Sequence, residues 1–333
     1  MYLNTILKGI SIHHPNNEVE NEYFENHFKK TKQDAAPLMK ALGRQKRYLI
    51  SDKNENALTM AFEASIKVLK SNNVTPDELD MIVFVSETPE YLVPTNALIL
   101  NQELGAINAH IVFDMNDNCI GMITALDYVC RYMKNNKRIR YSLIVGSLNI
   151  SSMVRKDCII SYPNIADGSA AIILENKEGN IEQGFIDSNY YTNSSRRKYI
   201  VSPACGFSKL ASKRVSEKKK KLNWIPHDVS FFSDEWYKLV NNLTDRNGLS
   251  PKDVDHYFFS QFSKPDAECT LDKLGLGIDK HTFIGEKYGY TGCASPFFSL
   301  HDALDSGNVK SGSTVVFCSV GAGFSMAAVL FKL

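Results

Sequence analysis

Two patterns of apolar residues alternate along this chain. Short continuous runs, IVFVS (82–86), HIVFDM (110–115), YSLIVGS (141–147), AAIILE (170–175), HYFFSQF (256–262), TVVFCSV (314–320) and AAVLF (327–331), read as strands. A strand without polar alternation is one covered on both faces. Between the runs lie segments such as ALTMAFEASIKVLKSN (57–72), with apolar positions at helical spacing. The alternation predicts an α/β protein with a layered, largely buried sheet.

The pattern also repeats. CIGMITALDYVCRYMKNNKRIRYSLIVGS, starting at Cys119, matches CASPFFSLHDALDSGNVKSGSTVVFCSVG, starting at Cys293. Each has a cysteine opening a small-residue helix, a polar link with Asn, and an apolar strand ending in Gly or Ser. Leu126 and Leu300 fall at equal distances from their cysteines, and each half closes on a similar strand, AAIIL (170–174) and AAVL (327–330). Two copies of one αβ unit are predicted, in halves 1–177 and 178–333. The stretch around 190–225, with SSRRK and SKRVSEKKKK, has few apolar anchors and reads as a basic, exposed insertion. Such a stretch is either a solvated face or a docking patch for an acidic partner.

Composition narrows the function classes. The chain has 333 residues, 44% hydrophobic, enough for a large core. With 38 Lys plus Arg against 37 Asp plus Glu, no global charge points to nucleic acid or a membrane. No apolar run approaches the roughly 20 residues of a spanning helix, and the first residues make a poor signal peptide. A cytoplasmic protein is expected. Seven cysteines are scattered with no CxxC pair, so a zinc site or disulfide framework is not expected.

Cys119 stands apart among these cysteines. It follows the strand HIVFDM and the turn Asn116-Asp117-Asn118, and it opens a segment apolar almost all round, from Ile120 to Met133. A thiol at the N-terminus of a buried helix feels the positive end of the helix dipole, which favours thiolate. Cys293 has a similar local setting, so this feature alone leaves packing and nucleophilic roles equally open.

Four segments then resemble the ketoacyl-ACP synthase III family of the thiolase superfamily. FDMNDNCIGMITAL resembles its nucleophile segment, and ETPEYLVPTNALILNQELGA (87–106) its "TTPD…LGA" segment. IADGSAAIIL (165–174) is similar to "FGDGAGAVVL", and SVGAGFSMAAVLF (319–331) to its C-terminal strand pair. They occur in order, so the resemblance covers the whole chain. It implies a thiolase fold, five layers αβαβα from a duplicated half. It implies a homodimer and acyl groups arriving on CoA or acyl-carrier-protein phosphopantetheine, with no further cofactor and no metal. It makes Cys119 the acylated residue. The oxyanion would be held by the backbone N–H groups of Cys119 and Ala322, in the turn Gly321-Ala322-Gly323. Preorganised donors of this kind lower a barrier by about 3–4 kcal/mol each.

The chain departs from that pattern in several places. Ser260 stands where the family's "PHQAN" motif has histidine, and Tyr290 where "GNTSA" has asparagine. Both can donate hydrogen bonds but are uncharged at neutral pH. His256, four residues before Ser260, and His301 are poorly placed to substitute. Glu87, in Ser86-Glu87-Thr88, falls where related hydroxymethylglutaryl-CoA synthases carry a catalytic glutamate, and it is a candidate general base. The adenine clamp of the family aligns with Pro37 and Ala41 and is missing, whereas Arg47 matches the "GI.ER" arginine. Val93 replaces a phenylalanine that caps the acyl pocket across the dimer, which leaves room for a longer chain. The expected function is acyl transfer through Cys119 to a carbon, oxygen or nitrogen nucleophile, in fatty-acid-like or specialised acyl metabolism. Two alternatives are an ordinary decarboxylative synthase and an impaired subunit pairing with an active homologue.

Overall fold

The computed structural model describes residues 2–333. Its first sheet has five strands in the order Tyr2–His13, Gly168–Gly179, Tyr141–Leu148, Leu79–Val85, Ile111–Met115. The second has four, in the order Gly184–Thr192, Ser325–Lys332, Thr314–Gly321, His256–Phe259. In each sheet the first pairing, between the edge strand and its neighbour, is antiparallel, and so is the second. The third is parallel in both. The two sheets therefore share order and sense over four strands, with the chain passing from one to the other between Gly179 and Gly184.

Strand alternation explains the unbroken apolar runs. Met81, Val83 and Val85 face the central cluster, while Ile82 and Phe84 face the helices Ala57–Ser71 and Asn96–Leu104. In the second sheet Val315 and Phe317 turn inward, and Val316 and Cys318 turn toward the helices Phe231–Arg246 and Lys264–Lys273. Between the sheets lie the helices Gly121–Lys134 and Ser295–Asp305, where Leu126 and Leu300 join one cluster. Both faces of the inner strands are thus dry, the edge strands Ile111–Met115 and Gly184–Thr192 staying partly open, and the five layers are αβαβα, as expected.

The structure corrects three local expectations. The run 256–262 is a strand only to Phe259, and Ser260 begins a turn. The helix after Cys119 starts at Gly121, so the cysteine lies in the preceding turn. That helix also has an open stripe, with Tyr128 56% and Tyr132 47% exposed. The strands Tyr2–His13 and Gly184–Thr192 were not legible as apolar runs because polar residues interrupt them. No helix among the described residues is long and apolar enough to cross a membrane.

Candidate active site

The turn that carries Cys119 is built from its own polar side chains. Asn116 Oδ1 accepts from the Asn118 N–H at 3.0 Å, and Thr124 Oγ1 donates to Asp117 Oδ2 at 2.7 Å. Asn118 takes a positive φ of 50°, a conformation asparagine tolerates, and its carbonyl receives the Gly121 N–H at 2.9 Å. Opposite this turn the hairpin at Ala322 approaches closely. A Cβ on Gly321 would lie 3.3 Å from Asn118 Cβ, tighter than ordinary contact, so only glycine fits here without displacement. Paired main-chain bonds of 2.8 Å between Phe324 and Asn193 hold the hairpin in place. Ser319 Oγ donates to the Cys119 carbonyl at 3.3 Å.

Glu87 enters from the loop after Leu79–Val85. Ser86 Oγ donates to Ser147 O at 2.6 Å and receives the Thr88 N–H at 3.0 Å, and Thr88 Oγ1 receives the Asn149 N–H. With both neighbours anchored, the Glu87 carboxylate sits 3.5 and 3.6 Å from Cys119 Sγ. Burial pushes the Glu87 carboxyl up to about 7, against a smaller opposing effect of the thiol's hydrogen bond. Burial, and then the Glu87 charge, push the Cys119 thiol well above its usual range. The expectation that the helix terminus favours thiolate is therefore corrected. At neutral pH the resting group is a thiol, and a base must remove its proton.

Tyr290 closes the inner end, and Ser260 lies off the cavity wall, beside the Tyr290 phenol. Tyr290 is 4% exposed and held by main-chain bonds to Ala166 and Asn164. Its phenol is raised well above 10, first by burial and then by Cys119 and Glu87, so it stays a donor. The same phenol opposes the rise of the Cys119 thiol, as a hydrogen bond to sulfur would. Ser260 is 1% exposed, and its hydroxyl has no hydrogen-bond partner of normal geometry. Cys293, by contrast, is fully buried with its Sγ 3.9 Å from the Val85 carbonyl, and of the two cysteines Cys119 is the one that lines a cavity.

A cavity of about 160 Å³ opens above Cys119. Glu87, Thr88, Tyr290, Gly321 and Ala322 line it beside the sulfur, and Ile150, Met153, Ile165, Phe232 and Phe262 form apolar walls. The basic stretch contributes its roof through Ile200, Leu222 and Trp224, with Trp224 stacked on Phe262 at 5.1 Å between ring centroids. The sequence shows few apolar anchors in this stretch. These three are spaced too widely along the sequence to show a pattern, and the short ribbon Ile200–Val201 with Asn223–Trp224 brings them together.

The structure does not bring every expected residue here. Arg47 is fully buried outside the cavity, with Nη1 on Asn21 Oδ1 at 2.8 Å, Nη2 on the Pro163 carbonyl, and its guanidinium 4.3 Å from the Phe24 ring centroid. Val93 is 88% exposed in a loop beside exposed Tyr91 and Leu92, and it does not line this chain's cavity. Gly323 lies in the hairpin next to Ala322 but not on the cavity wall. His256 bonds Thr282 Oγ1 at 2.9 Å and His301 pairs with Asp305 at 3.4 Å, both away from the cavity. His227, which sequence reasoning missed, does line it. Its only signal was a lone histidine after a proline.

Gly292 offers a direct test of the Cys119–Glu87 pairing. Its φ is +52°, and an added Cβ would fall 2.7 Å from Glu87 Oε1 and 2.5 Å from Leu148 Cδ2. Gly292→Ala is expected to push the carboxylate off the sulfur and slow acylation of Cys119 by about 10²-fold, the scale of a misplacement near 1 Å. Single-turnover mass spectrometry checks it, with circular dichroism to confirm the fold.

A layered, duplicated fold of this strand order is that of the thiolase superfamily, and this chain is an acyltransferase of that class. Two descriptions of one family match it, "3-Oxoacyl-[acyl-carrier-protein (ACP)] synthase III" over residues 113–194 and its C-terminal part over 244–333, together just over half the chain. The chain belongs to the ketoacyl-ACP synthase III family. It is 28% identical over 303 residues to a β-ketoacyl-[acyl-carrier-protein] synthase III of Koribacter versatilis, covering 89% of this chain and 88% of that protein. The Coxiella burnetii protein of the same name is 26% identical over 308 residues, covering 89% and 90%. The crystal structure of 3-oxoacyl-[acyl-carrier-protein] synthase III from Aquifex aeolicus superposes with a TM-score of 0.86 at 22% identity, over 99% of this chain and 100% of that one. At that identity the likeness speaks for the fold.

Proposed function

We propose that the enzyme takes an acyl group from acyl-carrier protein or acyl-CoA onto Cys119 and passes it to a carbon, oxygen or nitrogen nucleophile, with Glu87 as the proton carrier. The observation that carries this reading is the Cys119 Sγ to Glu87 contact of 3.5 Å at the inner end of an apolar cavity. Ionised Glu87 takes the thiol proton, and sulfur attacks the donor's thioester carbonyl. The Cys119 and Ala322 N–H groups hold the oxyanion, and the leaving thiolate recovers the proton from Glu87. In the second half Glu87 takes the acceptor's proton as the acceptor attacks the acyl-enzyme, and the Cys119 thiolate leaves and takes that proton from Glu87, which restores the resting thiol and carboxylate. A carboxyl near 7 is suited to both roles at neutral pH.

Ser260 and Tyr290 take the positions of the family's histidine and asparagine in this reading. Neutral donors offer an enolate less than an imidazolium would, which favours an acceptor other than a decarboxylating malonyl thioester. The exposed Tyr91-Leu92-Val93 loop lies beyond this chain's own cavity and fits a homodimer in which it reaches the partner's site. Ordinary decarboxylative condensation is the second reading, favoured by the names of the relatives.

Incubation with octanoyl-CoA, or with octanoyl-acyl-carrier protein, is expected to add one octanoyl mass that is absent in Cys119→Ala. No adduct from either donor would overturn the proposal. Consumption of malonyl-carrier protein with release of carbon dioxide by the acylated enzyme would establish the second reading instead.

A further inference from the structure

Acylation of Cys119 removes the one partner that the Glu87 carboxylate has. Its two oxygens lie 3.5 and 3.6 Å from the Cys119 thiol, and no other hydrogen-bond donor reaches them among the described residues. A thioester sulfur has no proton to donate. Once the donor's thiolate has left with its proton, the acyl-enzyme holds an ionised carboxylate without a donor. Part of that side chain stays open to the cavity, so a ligand can reach it.

The cavity wall supplies no counter-charge. Among the described residues that line it there is no lysine and no arginine, and Glu87 is the one acid. His227 is the one imidazole, with Nδ1 on the Ile225 carbonyl at 2.7 Å and Nε2 buried. Arg44 and Arg47 are off the wall, their guanidinium groups spent on main-chain carbonyls and Asn21. A carboxylate in apolar surroundings is stabilised by a cation that also donates a hydrogen bond. An alcohol or a carbon acid brings no such charge, and an acceptor with its own carboxylate adds a second anion. Phe232, Phe262 and Trp224 offer aromatic walls to an apolar body. We propose that the acceptor is a primary amine with an apolar body, bound through its ammonium to Glu87 of the acyl-enzyme. This narrows the transfer reading above to nitrogen and rests on it.

The protons balance. The ammonium gives one proton to Glu87, which passes it to solvent, and the free amine attacks the acyl carbonyl. As the C–N bond forms and the C–S bond breaks, Glu87 takes a second proton from nitrogen and returns it to the Cys119 thiolate. The products are an amide, the resting thiol and one proton in solvent.

The test loads Cys119 from octanoyl-CoA, removes the donor, and follows discharge at slightly alkaline pH by intact mass. Three acceptors share one aromatic body: phenethylamine, 2-phenylethanol and phenylalanine. Each rate is divided by that of the same acceptor with the acyl-enzyme unfolded in urea, which removes intrinsic reactivity. The folded enzyme is expected to accelerate phenethylamine at least about tenfold more than either of the others, the scale of one hydrogen bond to a charged group. The product is N-phenethyloctanamide. In Glu87→Gln, acylated by longer incubation, that margin should vanish, and the wild-type comparison stands without the variant. An acceleration of phenethylamine no greater than that of the alcohol or the amino acid would overturn the proposal and leave acyl transfer standing. A margin that persists in Glu87→Gln would do the same. A Cys119 that takes no acyl group from either donor would overturn both.

Discussion

Glu87→Gln is expected to slow acylation of Cys119 by at least about 10²-fold, because a positioned general base contributes 10²–10⁴ and no other carboxylate touches the sulfur among the described residues. The substitution keeps the side chain's size while removing its capacity to accept a proton. The thiol has been pushed well above its usual range, so without Glu87 the reactive thiolate is scarce at neutral pH. In the wild-type enzyme the acylation rate should rise as pH passes about 7 and level off above it, following ionisation of Glu87. In Glu87→Gln that inflection should vanish, leaving a slow rate that climbs only toward the thiol's own titration. Single-turnover acylation across pH 5.5–9 (about one unit either side of the inflection and beyond) measures both. An unchanged profile in the variant would refute the assignment.

The same shift has a consequence for stability, with a definite sign. The folded carboxyl lies at about 7, above its ordinary 4.5, so the native state binds its proton more tightly than the unfolded chain does. Below 4.5 both states are protonated and the native state carries no penalty. Between 4.5 and 7 the penalty grows, and above 7 it is complete. Glu87→Gln should therefore leave stability unchanged near pH 4.5 and raise it by about 2 kcal/mol at pH 8, reduced from the full linkage value because the carboxylate faces the cavity. Urea midpoints at the two pH values give the comparison.

Arg44→Ala should produce the largest loss of stability, about 2–4 kcal/mol. Arg44 is 2% exposed and has no carboxylate partner. Its guanidinium donates to the carbonyls of Gln261 at 2.8 Å, Phe262 at 2.6 Å, Asn164 at 3.2 Å and Leu42 at 3.2 Å. Burial, and then the neighbouring Arg47 charge, pull it down to about 9, so it remains a cation at neutral pH. Truncation takes that donor from the Gln261, Phe262 and Leu42 carbonyls and leaves Asn164 with one donor in place of two. It also frees the two segments that place the site, since Gln261 follows Ser260 and the Asn164 carbonyl receives the Tyr290 N–H. Arg44→Ala should lower the urea midpoint without changing the slope, and acylation should fall even at temperatures where the variant is folded. A midpoint within 0.5 kcal/mol of wild type would show that the four bonds are replaced by other contacts.

Much of the architecture was legible because it depends on local rules. Strands covered on both faces are apolar at nearly every position, which is why six of the nine strands in the two sheets stood out, with the partly open Ile111–Met115 as a seventh. The repeat was legible for the same reason, as two αβ units face the same layers. Cys119 and Glu87 could be singled out only through the family resemblance, since a thiol before a helix and a carboxylate in a loop are individually ordinary. The thiol's electrostatics differ from the expectation because burial disfavours its charged form, because a carboxylate comes within 3.5 Å of the sulfur, and because the helix begins two residues after Cys119.

The amino-acid order by itself determined the two sheets, their duplication and the family, because periodicity and short motifs are properties of neighbours along the chain. Only the tertiary structure decided which cysteine meets a base, that Arg47 is sealed in the core, and that a basic loop lowers three apolar residues and His227 over the cavity. Those contacts join residues far apart in sequence, and burial, which sets the proton affinities of thiol and carboxyl, exists only once the layers have closed.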